Sequence, residues 1–178
     1  MELNCDFQTE RLKVSNWQLQ NKDIQSKQNF VERIIKILTP AVTKSLPEDW
    51  QNINSLAKAD NRRSERKNEC EFLAVNLSFT NELIGFIFLY NFEDEKGRSD
   101  LRFGYLLAEN VWENGLGSEL IRELIAWCEK NEKIKSLSGG VEKENKASIK
   151  VLEKTGFSQS ALSTPSDKVI FYEKKFTR

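Results

Sequence analysis

The stretch Leu83-Ile84-Gly85-Phe86-Ile87-Phe88-Leu89-Tyr90 carries no charged or strongly polar side chain on either face. A strand with one side in water alternates, whereas one that is apolar on both faces lies at the centre of a sheet. The run is also far shorter than the ~20 apolar residues of a membrane-spanning helix. The neighbouring sequence supplies partners. Phe72–Phe79 alternates, with Leu73, Val75, Leu77 and Phe79 on one face, and Thr80-Asn81-Glu82 turns the chain between the two strands. Beyond a charged turn, Glu93-Asp94-Glu95-Lys96-Gly97-Arg98, a further strand covers Leu101–Leu107. The spacing of Leu120, Leu124, Trp127 and Cys128, with Ile121 and Ile125 beside them, predicts an amphipathic helix over Leu116–Lys130. A strand Ile134–Val141, a helix Ala147–Lys154 and a last strand Val169–Phe176 follow.

The first third reads as a strand, Phe7–Val14, and a helix through Ile24, Val31, Ile34, Ile35 and Leu38 that stops near Pro40. A second helix start stands at Ser45-Leu46-Pro47-Glu48-Asp49, placing Trp50, Ile53 and Ala57 on one face, and the polar Lys58–Glu69 is a solvated loop or helix end. A mostly antiparallel sheet followed by β-α-β-α-β is an α+β fold with a mixed sheet. The strand–helix–strand unit over residues 101–141 implies one parallel pair with a right-handed crossover.

Composition narrows the function classes. With 178 residues and no linker rich in Pro, Gly or Ser, the chain reads as one domain, residues 1–178. Lys+Arg and Asp+Glu both total 27, so the formal charge is zero and direct nucleic-acid binding is not expected. Arg62-Arg63-Ser64-Glu65-Arg66-Lys67 is basic but interrupted by acid, and contact with RNA or a ribose phosphate is the lesser reading. Histidine is absent, which removes Ser-His-Asp and Cys-His hydrolases, histidine-based zinc sites and any imidazole base. No metal is expected. Cys5, Cys70 and Cys128 are scattered and read as reduced, mostly buried thiols. Without a basic-then-apolar leader or a membrane-length run, the expected location is the cytoplasm, with no membrane partner. Trp17, Trp50 and the phenylalanines read as core.

Chemistry concentrates in Leu106-Leu107-Ala108-Glu109-Asn110-Val111-Trp112-Glu113-Asn114-Gly115-Leu116-Gly117-Ser118-Glu119-Leu120. A strand ends, a polar loop follows, and two glycines open a helix. Glycines there let successive N–H groups turn toward one point, and the positive end of the helix dipole adds to them, which suits a pyrophosphate. Leu120 stands where a dinucleotide fingerprint has its third glycine, and the Gly-Lys-Ser/Thr of a P-loop is missing. Taken alone, the same residues also suit a plain helix cap with two turn glycines.

This segment, followed by Asn145-Lys146-Ala147-Ser148-Ile149-Lys150-Val151-Leu152-Glu153-Lys154-Thr155-Gly156-Phe157, resembles the two signatures of the GCN5-related N-acetyltransferases, in order and at matching spacing. The opening Thr9-Glu10-Arg11-Leu12-Lys13-Val14 and Trp17 are similar to the branch that includes the ribosomal-protein-alanine acetyltransferases. The resemblance implies a mixed central sheet with a splayed parallel strand pair and flanking helices. It implies acetyl-CoA as the donor, with the backbone of Leu106, Leu107 and Ala108 pairing with the pantetheine arm. Trp112, Glu113, Asn114, Gly115, Leu116, Gly117 and Ser118 would wrap the pyrophosphate, Asn145 would bond the pantetheine, and Ser148 would sit near the sulfur. The strand Leu101–Leu107 would also supply an oxyanion donor.

An amine attacking a thioester directly needs a proton acceptor, a stabilised oxyanion and a proton for the leaving thiolate. The tyrosine acid of many relatives falls at Leu152, and the glutamate base of others at about Gly140. Ser148 is then the candidate donor to the thiolate, or simply a helix-start residue, and Glu142 the candidate base, or simply a solvated acid. The turn Glu93-Asp94-Glu95 either attracts a cationic amine or is only an exposed acidic turn. The expected function is N-acetyl transfer to a primary amine, by preference a protein N-terminal α-amino group. The alternatives are a small-molecule amine (polyamine, amino acid or aminoglycoside), or an inactive acyl-CoA-binding sensor or scaffold. An unrelated fold with fortuitous glycines is the third reading. The expected assembly is a monomer or a homodimer.

Overall fold

A computed structural model describes residues 3–20, 24–46, 50–53, 55, 57–59, 61, 70–160 and 168–177. The strands are β1 (Phe7–Gln8), β2 (Leu12–Asn16), β3 (Glu71–Leu77), β4 (Leu83–Glu93), β5 (Ser99–Leu107), β6 (Ile134–Glu142), β7 (Ser158–Gln159) and β8 (Val169–Lys175). Among the described residues the α-helices are α1 (Ile24–Ile37), α2 (Pro40–Thr43), α3 (Leu116–Lys130) and α4 (Lys146–Lys154), and residues 57–59 and 61 are helical as well. Strand order is β1-β2-β3-β4-β5-β6-β8-β7. The pair β5–β6 is parallel, and β1–β2, β2–β3, β6–β8 and β7–β8 are antiparallel, a mixed sheet as expected for the α+β layout. The chain divides into two compact units, Met1–Phe88 with Tyr105–Asn114, and Leu89–Gly104 with Gly115–Arg178.

The first unit is built on a ladder of aromatic rings. Trp17 packs on Phe30 and Phe72, each with centroids 6.1 Å apart, and Phe72 lies against Phe86 at 4.9 Å and parallel to Phe88 at 5.2 Å. Trp50 closes the series on Phe88 at 4.9 Å. Rings carry the largest apolar area per side chain, so this ladder joins α1 and the chain around Trp17 and Trp50 to the sheet. The expected single strand Phe7–Val14 is instead a hairpin, because the Thr9 hydroxyl accepts from the Leu12 N–H at 2.9 Å and turns the chain. The strand expected to reach Phe79 ends at Leu77, and Phe79, 88% exposed, lies in the turn. Phe72, Ala74 and Asn76 are buried as well, so β3 lacks the one-sided alternation its sequence suggests. A second helical face through Trp50, Ile53 and Ala57 does not form. Asn52 takes a positive φ of 58°, Trp50 and Ile53 are buried, and Ala57 is exposed. Residues 47–49 and the basic segment 62–67 lie outside the described residues.

Gly85 is the tightest point of this unit. A Cβ there would overlap the Leu106 carbonyl oxygen and press on the Leu107 side chain. Only a glycine lets the main chain of β5 come this close to β4, where the Ala108 N–H donates to the Ile84 carbonyl at 2.7 Å.

In the second unit Leu120, Ile121, Leu124, Ile125 and Cys128 of α3 are buried, the face that the 3.6-residue period selects. Phe103 of β5 packs on Phe157 at 5.7 Å. Gly139 faces that ring, since a Cβ there would lie 3.1 Å from it. The parallel ladder joins Ser99–Arg102 to Ile134–Ser138, and β5 runs on past it to Leu107. The turn before β5 is tied down electrostatically. The carboxylate of Asp94 accepts from the Lys96 and Arg98 N–H groups, both at 2.9 Å, and from the Lys135 ammonium at 3.2 Å. Lys135 also reaches Asp100 at 2.9 Å, and Asp100 accepts from the Ser136 hydroxyl at 2.7 Å. The acidic turn is thus engaged in holding β4, β5 and β6 together.

Two outcomes follow. Gly85→Ala should lower stability by about 1–3 kcal/mol through overpacking, read as a lower urea midpoint, and an unchanged midpoint would contradict the close approach. The backbone N–H of Arg98, together with Lys135, holds the Asp94 carboxyl below its ordinary 3.8, at about 2. A depressed carboxylate stabilises the fold above the unfolded value and loses that contribution as pH falls through the folded one. Asp94→Asn should therefore flatten the pH dependence of stability between about pH 4 and pH 2, measured by denaturant titration at each pH.

Candidate functional site

After Leu107 the chain makes one 3-10 turn, Glu109–Val111, extends at Trp112, and then bends twice. Glu113 has φ 63° and Gly115 φ 77°. A left-handed glutamate costs about 1–2 kcal/mol, so the surroundings must hold it. Three hydrogen bonds do so. The Trp112 indole donates to the Leu107 carbonyl at 2.8 Å, the Asn114 amide donates to the Trp112 carbonyl at 3.1 Å, and the Arg11 guanidinium donates to the Asn114 carbonyl at 2.9 Å. The Thr39 hydroxyl, at the start of α2, donates to the Glu109 carboxylate at 3.1 Å. The loop is therefore pinned by two residues far upstream, neither of which stands in the motif.

Gly115 is the N-cap of α3 and has no side chain to cap it. The first bond of the helix runs from the Glu119 N–H to the Gly115 carbonyl at 3.1 Å. The N–H groups of Leu116, Gly117 and Ser118 precede that ladder, at the positive end of a helix of 15 residues. Such an uncapped start, entered through glycine, is chemically suited to a phosphate oxygen. Leu116 is buried, Gly117 and Ser118 are half-buried, and Trp112, Glu113, Asn114 and Gly115 are exposed.

Leu106, Leu107 and Ala108 are buried. Because Ala108 points its N–H at β4, the alternation of the strand turns the main-chain groups of Tyr105 and Leu107 to the opposite edge. On that edge the Leu107 carbonyl is already taken by the Trp112 indole.

In the second unit Glu142 ends β6, and the Asn145 N–H donates to its carbonyl at 2.9 Å. Asn145 is the N-cap of α4, its side-chain oxygen accepting from the Ser148 N–H at 3.1 Å. This local turn brings Glu142, Asn145 and Ser148 together, all half-buried. The side-chain nitrogen of Asn145 has no protein partner among the described residues. Leu152 is buried in the core face of α4. Gly140 is exposed, and a Cβ there would lie 3.3 Å from the Phe171 ring. The buried hydroxyl of Tyr172 donates to the Glu153 carboxylate at 3.0 Å, and burial, reinforced by Glu153, pushes its pKa up. Tyr172 pairs with Gly139, on the face of β8 opposite that of Phe171. Among the described residues no three His, Cys, Asp or Glu side chains are grouped to hold a metal.

The profile of the acetyltransferase (GNAT) domain family matches residues 16–158. An uncharacterized N-acetyltransferase, p20 of Bacillus licheniformis, is 27% identical over 157 residues, which are 86% of this chain and 83% of that protein. The crystal structure of a GNAT-family acetyltransferase from Bacillus anthracis superposes with a TM-score of 0.74 at 17% identity, covering 96% of this chain and 98% of that one. RimL, a ribosomal L7/L12 α-N-protein acetyltransferase solved with coenzyme A, gives a TM-score of 0.70 at 15% identity, over 94% and 95%.

Loss of the Arg11 clamp should loosen the strained loop. In Arg11→Ala, amide hydrogen exchange at residues 113–118 should rise about 5-fold, the equivalent of one charge-assisted bond of about 1 kcal/mol. Exchange equal to wild type would show that the loop holds itself.

Proposed function

The chain belongs to the GNAT acetyltransferase family, and we propose that it transfers an acetyl group from acetyl-CoA to a protein or peptide α-amino group. The observation that carries the coenzyme half of this reading is the uncapped start of α3 behind Gly115, with three N–H groups preceding the helix ladder. The acceptor half is supported by the α-N-protein activity named for RimL and by the Thr9-Glu10-Arg11-Leu12 opening.

On this reading the N–H groups of Leu116, Gly117 and Ser118 bind the pyrophosphate, with Trp112, Glu113, Asn114 and Gly115 shaping the turn. Of the three residues expected to meet the pantetheine, Leu106 and Ala108 turn their main chain toward β4, so the Leu107 N–H on the other edge receives it, and the side-chain nitrogen of Asn145 donates to it. The acetyl thioester supplies the activated acyl group. Glu142 takes a proton from the attacking amine, directly or through water, and Ser148 donates one to the departing thiolate. A second reading, a coenzyme-binding sensor without turnover, is favoured by Leu152 and Gly140, which leave two acid–base positions of related enzymes without a titratable group.

Calorimetric titration with acetyl-CoA on wild type and Gly117→Trp tests the site. Binding in wild type that the indole abolishes is expected, and no wild-type binding would overturn both readings. Release of CoA with amine-terminated peptides then separates enzyme from sensor. Ser148→Ala should lower kcat about 10²-fold with little change in coenzyme affinity, and an unchanged kcat would remove Ser148 from the mechanism.

A further inference from the structure

Arg102 stands at the middle of β5, exposed, in register with Ser138 of β6. Its guanidinium carbon lies 4.8 Å from the centroid of the Phe92 ring, from β4, and 5.8 Å from that of Phe171, from β8. Two rings at this range attract the cation through their π faces and take up none of its N–H donors as carboxylates would. To reach Phe171 the side chain must cross β6, and the residues there are small. Ser138 turns its hydroxyl to the Leu101 carbonyl at 3.3 Å, and Gly140, in register with Phe171, has no Cβ to displace the ring. Gly140 is thus the space in which an arginine and a phenylalanine meet.

The carboxylates of the surrounding strands do not neutralise this cation. Asp100 is bound by Lys135 and Ser136, and Glu173 lies 3.6 Å from Lys175. Among the described residues Arg102 makes no hydrogen bond or ion pair. A guanidinium with no counter-ion among the described residues is a ready fork for a carboxylate. By the alternation of β6, Ser138, Gly140 and Glu142 share one face, so Arg102 lies on the face of the candidate base. Gly140, the register partner of Phe171, is two strand residues from Glu142, about 7 Å along β6.

We infer that Arg102 is a specificity-determining residue of the acceptor site, binding a carboxylate carried by the acceptor while the amine is presented toward Glu142. This rests on the acetyltransferase reading above and narrows its substrate class. On the α-amino reading above, the amine presented toward Glu142 is a peptide N-terminus, and the carboxylate on Arg102 is then an acidic side chain close to it. The occupant is therefore a peptide or protein whose first residues include Asp or Glu.

The test compares Ala-Glu-Ala amide with Ala-Gln-Ala amide as acceptors, by CoA release, in wild type, Arg102→Gln and Arg102→Lys. Wild type should prefer the acidic peptide about 10-fold or more in kcat/KM, mainly through KM. Arg102→Gln should abolish the preference, and Arg102→Lys, a point charge without the fork, should keep part of it. Equal rates in wild type, or a preference that survives in Arg102→Gln, overturns the inference while leaving the transferase reading intact. Should neither peptide be acetylated, the Nε–H resonance of Arg102 decides during titration of the CoA-saturated protein with both peptides. A shift with the acidic peptide alone supports the subsite, and no shift overturns it. Absence of acetyl-CoA binding would instead fail the transferase reading, and the same titration on the free protein would still judge the subsite.

Discussion

The rest of the structure depends on the two edges of β5. Toward β4 its main chain approaches so closely at Leu106 that the facing residue has to be Gly85. Toward β6 it is bound in parallel only over Ser99–Arg102, and continues to Leu107 beyond that ladder. On that second edge the Leu107 carbonyl accepts from the Trp112 indole, so the loop that follows is fixed to the strand's own main chain. The loop and helix that follow inherit their position from this strand.

The loop after β5 shows how strain and anchorage are balanced. Glu113 occupies backbone space that a side chain disfavours, and the indole of Trp112, the amide of Asn114 and the guanidinium of Arg11 compensate with hydrogen bonds to three main-chain carbonyls or their neighbours in the turn. None of these bonds consumes the N–H groups of Leu116, Gly117 and Ser118. Anchoring the loop through its carbonyls leaves those amides out of the bonds that shape the turn. On the face of β5 that carries Arg102 a similar division holds. Rings position Arg102 without neutralising it, whereas the equally charged Lys135 is consumed by Asp94 and Asp100.

Much of the fold was legible in the chain because the signals are local. The bounds of α3 match the period of its apolar residues, and the two-sided apolar run at Leu83–Tyr90 is buried as a central strand should be. The exceptions have local causes too weak to read. A Thr9 side-chain bond splits the first strand, a left-handed Asn52 ends the expected second helix, and the turn at Ser78–Thr80 leaves Phe79 in water despite its strand-like spacing. The two-residue strand β7 is too short to leave any periodic trace. For the candidate site, the glycines and Asn145-x-x-Ser148 were legible as motifs. Arg11 was visible only as part of a resemblance, with no hint that it reaches Asn114, 103 residues away.

By itself the sequence determined the order of the elements from Leu83 to Lys154, the glycine entry to α3 and the absence of imidazole chemistry, because periodicity, missing side chains and composition act within a few residues or not at all. Tertiary structure alone decided which charges are spent and which are kept. Lys135, Asp94 and Asp100 meet only once β4, β5 and β6 are in register, and Arg102 lies between two rings only because β6 places a glycine beneath them. Coulombic and ring contacts fall off within a few ångströms, so their partners are set by register across strands, a quantity that no single segment of the chain contains.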